Sequence, residues 1–201
     1  GAVYNGYRNG GVLVSIAFAV APLVGAVPAV VLQRGASDEL VFDSDSTGGD
    51  VTADIPGATV TQGSTTVGYV GVETLTVNGS NDNNNADAFI VQGYGEPTGL
   101  DAINLVTADT DNDDGDTVLV DLAGAPIDAR VRPTGQSSVE ITGGGPQVNV
   151  VDFNNVLGNL EIVGDGDNDG VTVVGTAAGD TFTMVDPAAG APDVRVGLEV
   201  G

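Results

Sequence analysis

Leu75-Thr76-Val77-Asn78-Gly79, then Ser80-Asn81-Asp82-Asn83-Asn84-Asn85-Ala86, then Asp87-Ala88-Phe89-Ile90-Val91: an alternating apolar run, a loop of amides and carboxylates, and a second run follow one another. Period-two alternation puts one set of side chains inside a sheet and the other outside. The first pattern returns as Val139-Glu140-Ile141-Thr142-Gly143 and Leu160-Glu161-Ile162-Val163-Gly164, and more weakly as Ile103-Asn104-Leu105. The second returns as Asp116-Thr117-Val118-Leu119-Val120, Asp169-Gly170-Val171-Thr172-Val173 and Asp180-Thr181-Phe182-Thr183-Met184. The unit is strand, acidic loop, strand, at irregular spacing, which weakens a strict solenoid period.

Helix is opposed by punctuation. With 31 Gly and 9 Pro, the longest stretch free of both runs only from Leu100 to Asp114. Abundant Val and Thr suit a pleated, half-buried surface. The expected fold is therefore all-β with essentially no helix: a strand-rich sandwich or an irregular β-solenoid with Asp/Gly loops. The division expected is an apolar N-terminal strand arm over 1–35 and a β domain over 36–201.

The 201 residues suffice for one sizeable core, in one domain or two. Acidic residues number 28 and basic residues 5, for a net charge of −23. Nothing here could neutralise a row of phosphates, so nucleic acid is excluded as a partner and an anionic membrane surface is disfavoured. Asp occurs 22 times and Glu 6 times. A coat for solubility in brine could use either acid, whereas Asp suits turns and metal loops, where a short carboxylate reaches its own backbone or a cation. A halophilic origin is compatible with both uses. Cys is absent, so an exported chain would be held by packing or metal. The chain opens on Gly1, and Val194-Arg195-Val196-Gly197-Leu198-Glu199-Val200 reads as a strand cut short. The expectation is a removed leader or a piece of a longer protein.

Residues 12–32 carry no charge, a length that could just span a bilayer as a helix. Pro22, Gly25 and Pro28 oppose that. Large Val12, Val14, Ile16, Phe18 and Val20 alternate with small Ser15, Ala17, Ala19 and Ala21. A strand sorts these sizes onto two faces and a helix would scatter them. No membrane span is favoured. Apolar on both faces, the strand 12–21 must be central in its own subunit or covered by another chain. Behind the flexible Asn5-Gly6-Tyr7-Arg8-Asn9-Gly10-Gly11 lead, the five large residues could fill an acceptor groove of a neighbouring copy.

The sharpest chemical motif is Asp165-Gly166-Asp167-Asn168-Asp169-Gly170. Carboxylates at alternating positions before a Gly let a tight loop wrap oxygen ligands around Ca²⁺. An EF-hand would place a Glu at the twelfth position, where Thr176 stands. The second cluster, Asp109-Thr110-Asp111-Asn112-Asp113-Asp114-Gly115-Asp116, holds five carboxylates in eight residues. Each pair at ~5 Å repels by about 1 kcal/mol in water and about 3 at an effective dielectric near 20. A counter-cation turns that repulsion into coordination. The candidate ligands are Asp109, Asp111, Asp113 and Asp116; Asp165, Asp167, Asp169 and Asp180; and, in a looser stretch, Asp82 and Asp87. Asp43-Ser44-Asp45 is a weaker candidate, and solvated acidic turns are the bland alternative. Replacing Asp167 and Asp169 is expected to weaken a site while sparing the core. Asn78-Gly79-Ser80 is a formal glycosylation sequon.

Gly164-Asp165-Gly166, Asn168-Asp169-Gly170-Val171-Thr172-Val173 and Gly175-Thr176-Ala177-Ala178-Gly179-Asp180-Thr181-Phe182-Thr183 resemble the Gly/Asp repeats of RTX-type calcium-binding proteins and large secreted bacterial surface proteins. Against the family nonapeptide the first carries an extra residue, Asp167, and the matches are scattered rather than tandem. The resemblance implies secreted, calcium-bound β structure.

Catalysis has little to stand on, since His, Cys and Lys are absent and with them the usual bases and nucleophiles. Aromatics make up 4%, few for a sugar cleft. Three readings compete. The favoured one is a non-enzymatic structural subunit of an extracellular or cell-surface filament, tube or layer, stabilised by Ca²⁺ and assembled from copies of itself by strand exchange. The others are a calcium-binding stalk of a large adhesin and a polysaccharide-acting β-helix enzyme.

Overall fold

The computed structural model describes residues 3–9, 12–18, 29–31, 38–44, 49–79, 88–107, 116–135, 138–152, 157–165, 168–175 and 195–200, none of them helical. The strands are β1 (Val3–Asn9), β2 (Val12–Phe18), β3 (Ala29–Val31), β4 (Glu39–Asp43), β5 (Val51–Asp54), β6 (Thr59–Gln62), β7 (Thr65–Val70), β8 (Thr74–Asn78) and β9 (Ala88–Tyr94). They continue as β10 (Ala102–Thr107), β11 (Asp116–Leu122), β12 (Asp128–Gly135), β13 (Ser138–Thr142), β14 (Gln147–Asp152), β15 (Leu157–Val163), β16 (Gly170–Gly175) and β17 (Arg195–Val200). Two open, mixed sheets result. The first has the order β17-β16-β12-β13-β14-β10-β8-β4-β1-β2, and the second β15-β11-β9-β5-β6-β7-β3. Among the described residues neither closes into a barrel.

The chain alternates between these sheets. In the first, β4, β8, β10 and β14 are successive parallel neighbours. In the second, β5, β9, β11 and β15 are likewise parallel neighbours. Parallel neighbours need a crossover, and here each sheet supplies the crossover for the other. The sandwich is thus wound as a coil, with the β6–β7 and β12–β13 strand pairs let into it. The two expected architectures meet in one fold: a sandwich by layers, a solenoid by chain path.

Alternation holds the layers together. Leu40, Leu75, Ile103, Val148 and Ile141 lie in register across the first sheet, with Phe42, Val77, Leu105 and Val150 two residues on. Val51, Phe89 and Val118, and Ala53, Val91 and Val120, do the same in the second. All are buried, and both sets belong to one cluster. Each large side chain so withdrawn from water contributes roughly 1.5–3 kcal/mol. The outward residues of β8, Thr74, Thr76 and Asn78, are half-buried while Leu75 and Val77 are buried, as the opening pattern requires. The Gln62–Thr65 connection is a two-residue turn with Gly63 at φ 56, a backbone that suits the right-handed twist of a hairpin and favours Gly.

The segment read as an N-terminal arm contributes to both sheets. β1 pairs with β4 and β2 with β1, while β3 lies against β7.

Candidate functional site

The coil has two chemically different ends. At the loop end, parallel register brings Asp43, Asn78, Val106 and Val151 side by side as the first sheet's strands finish. Opposite them, Ala88 and Thr117 are neighbours where β9 and β11 begin. The acidic segments 80–87 and 108–115 are therefore anchored on adjacent strands at both of their ends, about 4.8 Å apart. The segment 44–50 leaves from the same edge. The ladder runs on into these connections: Ser44 N–H donates to the Asn78 carbonyl at 2.9 Å and Gly79 N–H to that of Val106 at 2.8 Å. Asn78 Nδ2 donates to Asp43 Oδ1 at 2.6 Å. The amide of the formal sequon is thereby engaged with a carboxylate on the neighbouring strand.

At the turn end, short connections return the chain from the second sheet to the first. Asp169 organises one of them. It is 1% exposed, and its two carboxylate oxygens accept from Ile127 N–H at 3.0 Å and Asp165 N–H at 3.1 Å. Gly170 N–H donates to the Ile127 carbonyl at 2.7 Å, and a Cβ on Gly170 would push the Asp128 carboxylate aside. One buried anion thus ties the β11–β12 connection to the β15–β16 connection. Replacing Asp169 reaches into the packed body of the protein, which a purely metal-ligand role would not. A similar device uses Glu73, whose Oε2 accepts from Asp38 N–H at 2.8 Å, while Glu73 and Thr74 N–H both donate to the Asp38 carbonyl at 3.0 Å. A shallow cleft of about 340 Å³ opens nearby, lined by Glu96, Thr98, Asp101, Gly145 and Pro146 among others.

Of the ten expected metal ligands, Asp82, Asp87, Asp109, Asp111, Asp113, Asp167 and Asp180 lie outside the described residues. Asp116 opens β11 beside Leu157 of β15. Asp165 and Asp169 meet at the turn end, not at the loop end with Asp116. Sequence reading missed Asp121. Its partner across the strands is Val163, two residues before Asp165, and burial followed by the Asp165 charge pushes its carboxyl above the usual value. It sits inside an apolar alternating run, so only strand pairing could have linked it to Asp165. Among the described residues no three His, Cys, Asp or Glu side chains converge as a metal group. Val12, Val14, Ile16 and Phe18 lie on β2, at the edge of the first sheet and paired with β1. Val20 lies outside the described residues.

The class these observations define is an all-β sandwich wound as a coil, with acidic connections at one end. No protein-family model matches the chain, and neither the curated proteins nor the solved structures contain a match to it.

Proposed function

We propose that this chain is a non-enzymatic structural protein of the cell exterior, a subunit of a calcium-stabilised filament, tube or surface layer built from copies of itself. The observation that carries this reading is the placement of the anchors of successive acidic connections on neighbouring strands. The anchors of 80–87 and 108–115 are held on neighbouring strands, and between them the sequence places Asp82, Asp87, Asp109, Asp111, Asp113 and Asp114. Such crowding costs about 1–3 kcal/mol per close pair, and a cation offsets it. The donor chemistry fits a hard ion: the chain has no His or Cys, and carboxylates, amide oxygens and backbone carbonyls are what Ca²⁺ takes. Flexible Gly/Asn connections suit the loose geometry of Ca²⁺ better than the strict octahedron of Mg²⁺. Asp109, Asp111, Asp113, Asp116, Asp82 and Asp87 would hold ions at the loop end. Self-assembly rests on the uncharged strand over 12–21, given up to a neighbouring copy.

The test is thermal unfolding followed by circular dichroism in calcium, magnesium and chelator. Calcium at a hundred times its dissociation constant should stabilise by about 2.7 kcal/mol per site, and magnesium by much less. A midpoint that does not move between millimolar calcium and chelator removes the calcium reading. Negative-stain images with and without chelator report on assembly separately.

A further inference from the structure

Charge is divided unevenly along this chain. Residues 1–37 contain Arg8 and Arg34 and no acidic residue, whereas residues 38–201 carry all 28 acidic residues against Arg130, Arg132 and Arg195. Two copies therefore repel wherever one acidic body meets another, and two basic N-terminal segments repel as well. The contact between copies that does not set like against like is the N-terminal segment of one on the body of another.

Within one copy the fold already displays that contact. β1 and β2 form a hairpin paired without irregularity, from Val3 opposite Phe18 to Asn9 opposite Val12. β2 is outermost and, among the described strands, pairs with β1 alone. The strand that meets the body is β1, with Asn5 opposite Phe42 of β4, Gly6 opposite Val41, Tyr7 opposite Leu40 and Arg8 opposite Glu39. The last pair sets a positive residue across from a carboxylate, an arrangement that favours strand pairing. On its other side β4 pairs along its whole length with β8 and buries Leu40 and Phe42 completely, so it belongs to the body independently of the hairpin. Between β2 and β3, which joins the second sheet beside β7, lie ten residues that include Pro22, Gly25 and Pro28. Ten residues reach about 33 Å when extended, far enough to carry a hairpin across to a neighbour.

We propose that copies associate by exchanging this hairpin, the β1–β2 unit of one copy occupying β4 of the next in the register it adopts on its own body. This exchange rests on the self-assembly reading and gives it an acceptor, β4, and a contacting strand, β1. β2 travels with β1 and fills no groove of its own. Exchange costs little, because each pairing made between copies replaces an identical one within a copy. Charge directs the hairpin to a body and away from another hairpin.

The native chain has no Cys, so engineered thiols report the contact directly. Gly6 and Val41 lie opposite each other on antiparallel strands, at a Cα separation of about 4.5–5.5 Å, which a disulfide spans. The full-length G6C and V41C chains are mixed in calcium, assembly is followed by light scattering, and the mixture is oxidised. The expected product is a disulfide joining position 6 of one chain to position 41 of the other. It should form at least about ten-fold faster than in a mixture of G6C with Q92C, because exchange raises the effective concentration of one thiol at the other; Gln92 is exposed on the second sheet, away from β4. A mixture that assembles without that excess overturns the exchange and leaves self-assembly standing. A mixture that stays monomeric overturns the self-assembly reading and the exchange with it. Should either chain not fold, R8C and E39C, opposite each other two residues along, are judged by the same criteria. Loss of fold in that pair too overturns the proposal, because the hairpin would then be part of its own body and not an exchangeable unit.

Discussion

Replacing Asp169 by Asn keeps the shape of the side chain and changes one atom from acceptor to donor. In the native turn both carboxylate oxygens accept backbone N–H groups, from Ile127 and Asp165. The amide can satisfy only one of them and turns an NH₂ towards the other. Water cannot compensate, since the side chain is 1% exposed. A hydrogen bond to a charged group contributes about 1.5–3 kcal/mol, and an orphaned buried N–H costs about 1–3 kcal/mol. Because these describe overlapping parts of one loss, D169N should destabilise by about 3 kcal/mol, and D169A, which orphans both donors, by about 4–5. For a chain of this size ~3 kcal/mol lowers the unfolding midpoint by about 6–12 °C. The assay is thermal and urea unfolding by circular dichroism, each in calcium and in chelator. The loss should be equal in both, since the partners are backbone groups. A D169N midpoint within about 1 °C of the parent would refute the reasoning, as would a loss seen only with calcium present; the latter would make Asp169 primarily a ligand.

Two further perturbations read other parts of the fold. Tyr69 and Tyr94 are pushed from the usual 10.0 up to about 12, chiefly by burial. Their neutral phenols favour the folded state, so this stability is fully present below pH 10 and is lost as pH rises towards 12. In an alkaline titration, two of the four tyrosines should ionise only together with the loss of the β-sheet signal; four independent ionisations before unfolding would contradict the burial. Ala58 adopts φ 47, a left-handed conformation costing an L-residue roughly 1–2 kcal/mol. A58G relieves that strain against a smaller gain in unfolded-chain entropy, for a net stabilisation of about 0.5 kcal/mol. A58V should lose at least ~1 kcal/mol because a branched Cβ fits this region worse; urea midpoints in the reverse order would count against the assigned turn.

The strands themselves were legible because alternation is a local signal. Leu75 and Val77, or Phe89 and Val91, declare an inner face without reference to anything else in the chain. The coil was not legible, because antiparallel and parallel strands share that alternation. Knowing that β8 lies beside β10 and not beside β9 requires knowing what covers the apolar face, and the sequence offers many equivalent partners. The irregular repeat had the same cause. The β6–β7 and β12–β13 strand pairs interrupt alternate circuits, so the period is present in space and hidden along the chain. Asp121 went unread for the related reason that its link to Asp165 runs through a strand one circuit away.

The two ends of the coil show why counting aspartates could not count metal sites. At the turn end, carboxylates serve the backbone: Asp169 receives two N–H groups, Glu73 receives that of Asp38, and Asp54 Oδ1 receives that of Gly57 at 3.1 Å. A tight turn leaves N–H groups without ladder partners, and a short carboxylate reaches them. At the loop end the strands finish level, and Asp43 stands exposed beside an amide. The motif Asp165-Gly166-Asp167-Asn168-Asp169-Gly170 reads as a metal loop by composition, yet its last carboxylate is turned inward to the protein's own amides. What decides is whether a tight turn leaves backbone N–H groups within the carboxylate's reach. The turn before Gly170 consumes the Asp169 anion internally. On that argument the calcium proposed for this chain would be held at 80–87 and 108–115. Chelation should therefore loosen the loop end while leaving amide protection of Ile127 and Asp165 at the turn end unchanged, and hydrogen exchange that fell equally at both ends would refute the division.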